Sequence, residues 1–255
     1  MLSPSTYVVL AAAGAAAGFI DAIAGGGGLV SVPALLWAGL PIPVALGTNK
    51  LQSSCGTTLA VIRYTRGGLI PWSKLWLAVV VTFLAAMLGV LAVTHLDKSV
   101  LERAVPVMLL SVAIYTALNP KLGAAQRAAR MGMVGFALIF GGVLGFYDGF
   151  FGPGAGSFWM IACVLALGLD LRVATGTTKA LNLTSNVASL LAFASMGLLR
   201  WDVGLAMIVG QLLGARLGSG LVLTRGAAII RPIFIVTAVL LAARLTWQAF
   251  FSVRG

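Results

Sequence analysis

The chain repeats itself. Gly14-x-x-x-Gly18-x-x-Asp21, the run Gly25-Gly26-Gly27-Gly28 and then Gly47-Thr48-Asn49-Lys50 form one set of motifs. The second set is Gly141-x-x-x-Gly145-x-x-Asp148, Gly152-Pro153-Gly154-Ala155-Gly156 and Gly176-Thr177-Thr178-Lys179. Asp21 recurs after 127 residues and Lys50 after 129, and the second offset persists to Trp72 and Trp201. Many secondary transporters are duplicated in this way, with a polar motif in each apolar half and a site between the halves.

The halves must live in lipid. Hydrophobic residues make up 60% of the chain and charged residues 9%, with a mean hydropathy of +1.05. A soluble domain carries about 25% charged residues. Long apolar runs between short polar connections give an all-α polytopic membrane protein and not a β-barrel, which needs alternating segments of about ten residues. The net charge of +11 is scattered among the connections. That pattern fits retention of basic loops in the cytoplasm, and no nucleic-acid partner is expected. Met1 to Tyr7 holds no Lys or Arg, so the first apolar run reads as an uncleaved membrane segment. Cys55 and Cys163 sit in apolar segments and read as reduced thiols. With His95 the one histidine, neither a metal site nor a cofactor is expected.

Each half holds five segments. In residues 1–118 they fall near 6–24, 29–40, 47–62, 72–94 and 100–118; in residues 131–255 near 131–149, 157–168, 175–196, 201–222 and 228–250. A linker at 119–130, with Lys121, Arg127 and Arg130 but no acid, reads as cytoplasmic. A span takes about 20 helical residues. By that measure the second and seventh segments, at about 12 residues, are too short to span alone. The second also contains Pro33 and is followed by Pro41 and Pro43. Short interrupted segments at matching positions of two halves predict broken or re-entrant helices at a binding site.

Charge also predicts how the halves are related. The connection after the third segment holds Arg63, Arg66 and Lys74, whereas its counterpart holds Arg200 and Asp202. The connection after the fourth holds Asp97, Lys98, Glu102 and Arg103, whereas its counterpart holds Arg225 and Arg231. The basic loop switches between halves, so the repeats should be inverted in the membrane, with both termini outside.

Asp21 and Asp148 are the sharpest candidates. A carboxylate inside the bilayer costs about 2.5–3.5 kcal/mol on insertion scales and usually serves a function. Two roles stay open: capping the glycine-rich turn, and carrying a coupling proton or cation. Lys50 and Lys179 form the second pair. Each reads as opening a long helix, where Thr48, Asn49, Thr177 and Thr178 together with first-turn N–H groups would cradle an anion. Asn182 and Asn186 extend that face, three and seven residues beyond Lys179. Gly27, Gly28, Gly154 and Gly156 would bring backbone N–H groups to the same anion. The plainer alternative is that the lysines snorkel and the amides bond neighbouring helices. Gly210-x-x-x-Gly214-x-x-x-Gly218 reads as a packing seam, and Trp72 and Trp201 as interfacial anchors.

Gly18-Phe-Ile-Asp-Ala-Ile-Ala-Gly-Gly-Gly-Gly-Leu29 with Gly47-Thr-Asn-Lys50, and Asp148-Gly-Phe-Phe-Gly-Pro-Gly-Ala-Gly-Ser157 with Thr175-Gly-Thr-Thr-Lys179, resemble the sulfite exporter TauE/SafE family over nearly the whole chain. The usual proline of the second short segment is replaced near Ile161-Ala162. The resemblance implies a bacterial inner-membrane carrier of a small sulfur-containing or organic anion, such as sulfite, sulfoacetate or thiosulfate. Export by alternating access is implied, with protons as candidate coupling partners. Two other readings stay open, a non-transporting ligand-binding or assembly protein and a cation–proton antiporter. Oligomeric state is not legible.

Overall fold

A computed structural model of the chain describes residues 2–97, 99–101 and 129–225. The fifth and tenth segments and most of the 119–130 linker lie outside the described residues. Eight helical elements follow one another among the rest: α1 Pro4–Ala24, α2 Gly28–Trp37, α3 Ile42–Arg66, α4 Trp72–Thr94, α5 Met133–Phe150, α6 Ala155–Leu167, α7 Leu171–Ser195 and α8 Trp201–Arg225. No strand occurs among the described residues. α1, α4, α5 and α8 are long and apolar enough to cross a membrane.

Local chemistry sets the ends. Ser3 caps α1 by accepting from the Thr6 N–H, with Pro4 in the first turn. Asp170 caps α7 through the N–H groups of Arg172 and Val173. The prolines at 41 and 43 begin α3 instead of ending α2, because a proline lacks only an N–H that the first turn leaves unpaired. This corrects the third segment, expected at 47–62. α3 runs 25 residues, about 37 Å at 1.5 Å per residue, and so does its equivalent α7. The polar stripe that lowered their hydropathy faces inward. Pro33 lies within α2 and does not divide it. The shift in repeat offset is absorbed at α6, whose 13 residues replace the 10 of α2, followed by a connection one residue shorter.

Small residues let helices from opposite halves touch. α1 packs along α8: a Cβ on Gly14 would lie 2.4 Å from the Met207 carbonyl oxygen, one on Gly18 2.3 Å from that of Gln211, and one on Gly210 1.8 Å from that of Ala11. α5 packs along α4 in the same manner, with a Cβ on Gly149 falling 2.0 Å from Ala86 O and one on Gly89 2.2 Å from Phe146 O. Each half therefore lends its first helix to the fourth helix of the other. α3 and α7 cross the middle. A widened, π-helical turn interrupts α5 at Ala137–Gly141 and has no counterpart in α1. Leu84, Leu88, Leu205, Leu213 and Leu217 are exposed, as lipid-facing residues should be, and Trp72 and Trp201 are exposed at helix starts. Arg216 on α8 is exposed as well.

The seam yields a test. Gly210→Val should lower the apparent melting temperature of the detergent-purified protein, as overpacking costs about 1–3 kcal/mol. Gly142→Ala, at φ −66° and with no described atom within 4 Å of the new Cβ, should be neutral or slightly stabilising.

Candidate functional site

The two glycine turns meet at the centre. A Cβ on Gly25 would lie 2.4 Å from the Gly156 carbonyl carbon, one on Gly156 2.5 Å from Gly25 Cα, and one on Gly28 3.0 Å from Pro153 Cα. Gly25 and Gly154 hold φ of 77° and 80°, a region that L side chains enter at a cost. The short helices α2 and α6 start at these turns, so their N-termini converge, although the N–H groups of Leu29, Val30 and Ser31 in α2, and of Ala155, Ser157 and Phe158 in α6, already donate to carbonyls of the turns.

The four charged candidates gather around the turns and pair across the halves. Lys50 Nζ lies 2.5 Å from Asp148 Oδ1. It also donates to the Asp148 carbonyl at 2.6 Å and to Asn186 Oδ1 at 3.2 Å. The other Asp148 oxygen accepts from Asn182 Nδ2 at 2.7 Å and from the Ser185 hydroxyl. Lys179 Nζ lies 3.0 Å from Asp21 Oδ2, which the Thr57 hydroxyl approaches at 3.4 Å. The Lys179 contact has ion-pair distance without hydrogen-bond alignment, and the ammonium has no hydrogen-bond partner. Gly152 leaves the room that Lys50 uses, for a Cβ there would lie 2.9 Å from Nζ.

These geometries change two expectations. Neither carboxylate accepts from a glycine-turn N–H among the described residues; Gly25 N–H instead bonds the Asp21 backbone carbonyl, 3.0 Å away. Neither lysine opens its helix. Lys50 stands in the ninth position of α3 and Lys179 in the ninth of α7. The additional turns at 42–46 and 171–174 put both lysines about two turns inside their helices, where they are buried in protein. The helix N-termini at the centre are those of α2 and α6, not those of the lysine helices.

A cavity of about 10 Å³ lies among Asp21, Asn49, Lys50, Ser53, Asp148, Asn182 and Asn186, with Gly25, Gly28, Gly152 and Gly156 completing its wall. That volume holds roughly one water. Asn49 faces it while accepting from Ser31, Gln52 and Ser53. Other expected site residues stand apart. Thr48 accepts from the Arg200 N–H at 3.0 Å, and Thr178 lies 3.9 Å from Cys163 Sγ. Thr177 is buried with its hydroxyl unpartnered. Gly27 and Gly154 stand at the starts of α2 and α6, outside the cavity lining. Ser53 continues the polar face of Lys50 as its spacing suggests, whereas Ser185 was not read from sequence; its three-residue spacing from Asn182 was the available signal. Among the described residues no cluster of side chains fits a metal ion.

The exchanged pairing is testable by rescue. Lys50→Met should destabilise by about 3–5 kcal/mol, because it strands a buried carboxylate. Adding Asp148→Asn should restore much of the loss in melting temperature, and adding Asp21→Asn should not.

The comparisons with known proteins identify the family. The profile of the family described as Sulfite exporter TauE/SafE matches residues 10–245. The chain is 44% identical to the probable membrane transporter protein YfcA of Escherichia coli K12 over 249 residues, covering 98% of this chain and 93% of that protein. It is 40% identical to a probable membrane transporter protein of Haemophilus influenzae, over 94% of both chains. The identity to the probable membrane transporter protein YunE of Bacillus subtilis is 26%, over 97% of this chain and all of that one. No solved structure matches. The chain is a multi-pass membrane transporter protein and belongs to the sulfite exporter TauE/SafE family.

Proposed function

We propose that the chain is a secondary carrier of a small sulfur-containing or organic anion across the bacterial inner membrane, working in export by alternating access. One observation carries this reading: two buried lysines are each tied to a carboxylate of the other half, and Lys50 and both carboxylates line a polar cavity on which two half-helix N-termini converge. Such N-termini add about half a positive charge each. The cavity holds about one water, so an oxyanion enters only if the wall parts. The wall is made of inter-repeat ion pairs and glycine contacts, so parting it separates the halves, as a rocking bundle does.

The packing supports inverted repeats related by a pseudo-two-fold axis in the membrane plane. Helix pairs α1–α8 and α5–α4, ion pairs Lys50–Asp148 and Lys179–Asp21, and the two glycine turns each exchange equivalent partners. Charge supports an orientation. The ends of α3 and α8 lie together, since a Cβ on Gly67 would sit 2.6 Å from Leu223 Cδ2, and Arg172 donates to the Leu223 carbonyl at 3.3 Å. That end gathers Arg63, Arg66, Lys74, Arg130, Arg172 and Arg225 against Asp170. The opposite end, where Tyr7 donates to Asp202 at 2.5 Å, has Arg200 balanced by Asp202. The basic end is cytoplasmic by the positive-inside rule.

Two measurements check this reading. Single cysteines at 66 and 225 should be shielded together from an impermeant thiol reagent in intact cells, with a cysteine at 202 labelled; labelling of one of the two basic-end sites alone would remove the inverted arrangement. In a melting-temperature screen of the purified protein against sulfite, thiosulfate and sulfoacetate, an anion at 100 times its Kd should add about 2.7 kcal/mol, and the same anion should be carried by proteoliposomes. Stabilisation without flux would make the protein a ligand-binding component, and stabilisation by cations alone would make it a cation carrier.

A further inference from the structure

The duplicated site is chemically unequal. Lys50 has three ammonium protons and three acceptors: Asp148 Oδ1, the Asp148 carbonyl and Asn186 Oδ1. Asp148 has a donor on each carboxylate oxygen and a third from Ser185, and its side chain is 1% exposed. All three Lys50 protons are therefore taken, although the pair lines the cavity. The equivalent pair is open. The Lys179 ammonium is fully buried with no hydrogen-bond partner; it stands outside the cavity lining and meets the cavity through Asp21. A buried polar group left in that state carries its full desolvation cost. Asp21 is 11% exposed, lines the cavity and receives hydrogen bonds on Oδ2 alone, from Thr57.

Charge balance says what the open pair must do. Lys50, Lys179, Asp21 and Asp148 sum to zero, so an anion entering the cavity adds charge that the protein does not offset. A proton delivered from water through the cavity to the free Asp21 oxygen removes one negative charge and releases Lys179. Asp148, with three donors against the single one at Asp21 and less exposure, is the harder of the two to protonate. Around Asp21 the titratable and charged groups are Lys179 on α7, Lys50 and Asp148 across the cavity, and Tyr64 on α3, which donates to the Ala22 carbonyl. α2 holds no acid or base, and α6 holds only the Cys163 thiol. α8 turns Arg216 outward.

We propose that Lys50–Asp148 is a permanent tie between the halves, whereas Asp21–Lys179 is the working pair: Asp21 takes up a proton as Lys179 passes to the anion. This rests on the reading that the cavity binds an anion. The sign follows from linkage. Binding that requires proton uptake weakens as pH rises and is tightest where Asp21 is already neutral.

Thiosulfate, which stays fully ionised through the neutral range, is the probe. Titration calorimetry of the purified full chain in buffers of different ionisation heat counts protons taken up per anion. The parent should take up about one, since one carboxylate changes charge. Asp21→Asn, which imitates the protonated acid, should take up none and bind about tenfold or more tightly at mildly alkaline pH, because Lys179 no longer has to leave a carboxylate. Asp148→Asn should lose stability. Ser185→Ala, which removes one donor from Asp148 without stranding a charge, should keep the parent's proton uptake. If the parent binds thiosulfate without taking up a proton, or if uptake persists in Asp21→Asn or vanishes in Ser185→Ala, the unequal roles are wrong and the anion carrier stands. If neither the parent nor Asp21→Asn binds thiosulfate, sulfite or sulfoacetate, the anion site and this inference fall together.

Discussion

Two ammonium groups and two carboxylates buried in lipid-spanning helices must neutralise one another, and here each finds its partner in the other half of the chain. An unpaired charge at that depth costs several kcal/mol. Lys50 needs Asp148 and Lys179 needs Asp21. The glycine turns must therefore meet, because Asp21 and Asp148 each stand a few residues before one. α3 and α7 must cross, because they carry the lysines. The rest of the described architecture brings these four groups to one place while keeping water to about one molecule's volume.

Small residues make that convergence possible. Without a hydrophobic force between helices in lipid, close packing holds them. The seams of α1 on α8 and α5 on α4 bring backbone nearly onto backbone, and the contact of Gly25 with Gly156 repeats the device at the centre. Irregular backbone at this depth survives because it is buried in protein and lines a wet site. The same contacts that hold the site closed are shared between the halves, so closure and the relative position of the halves are one variable. A carrier needs that property.

Duplication and function pull in different directions. Two equal copies would give two saturated ion pairs, or two open ones. The chain has one of each. The difference arises from neighbours, not from the paired charges: Asn182 and Ser185 crowd Asp148, while Thr57 approaches Asp21 at 3.4 Å. A neutral residue on an adjoining helix thus sets whether a buried carboxylate is a tie or an exchangeable group.

Apolar run length and motif spacing were enough to show a helical membrane protein with repeated motifs and to single out four charged residues, because charge is rare in lipid. The family came from the resemblance of the motif residues to known sequences. Helix ends were less legible. Pro41 and Pro43 read as closing the second segment when they open α3, so 42–46 was missed, 171–174 was left in a connection, and both lysines were placed at helix starts. The pairing was not legible at all. Within one half Asp21 and Lys50 look like natural partners, as do Asp148 and Lys179. Only the tertiary packing decided that they exchange, because whether opposite charges meet depends on which helix faces which across the midline, and no spacing along the chain records that.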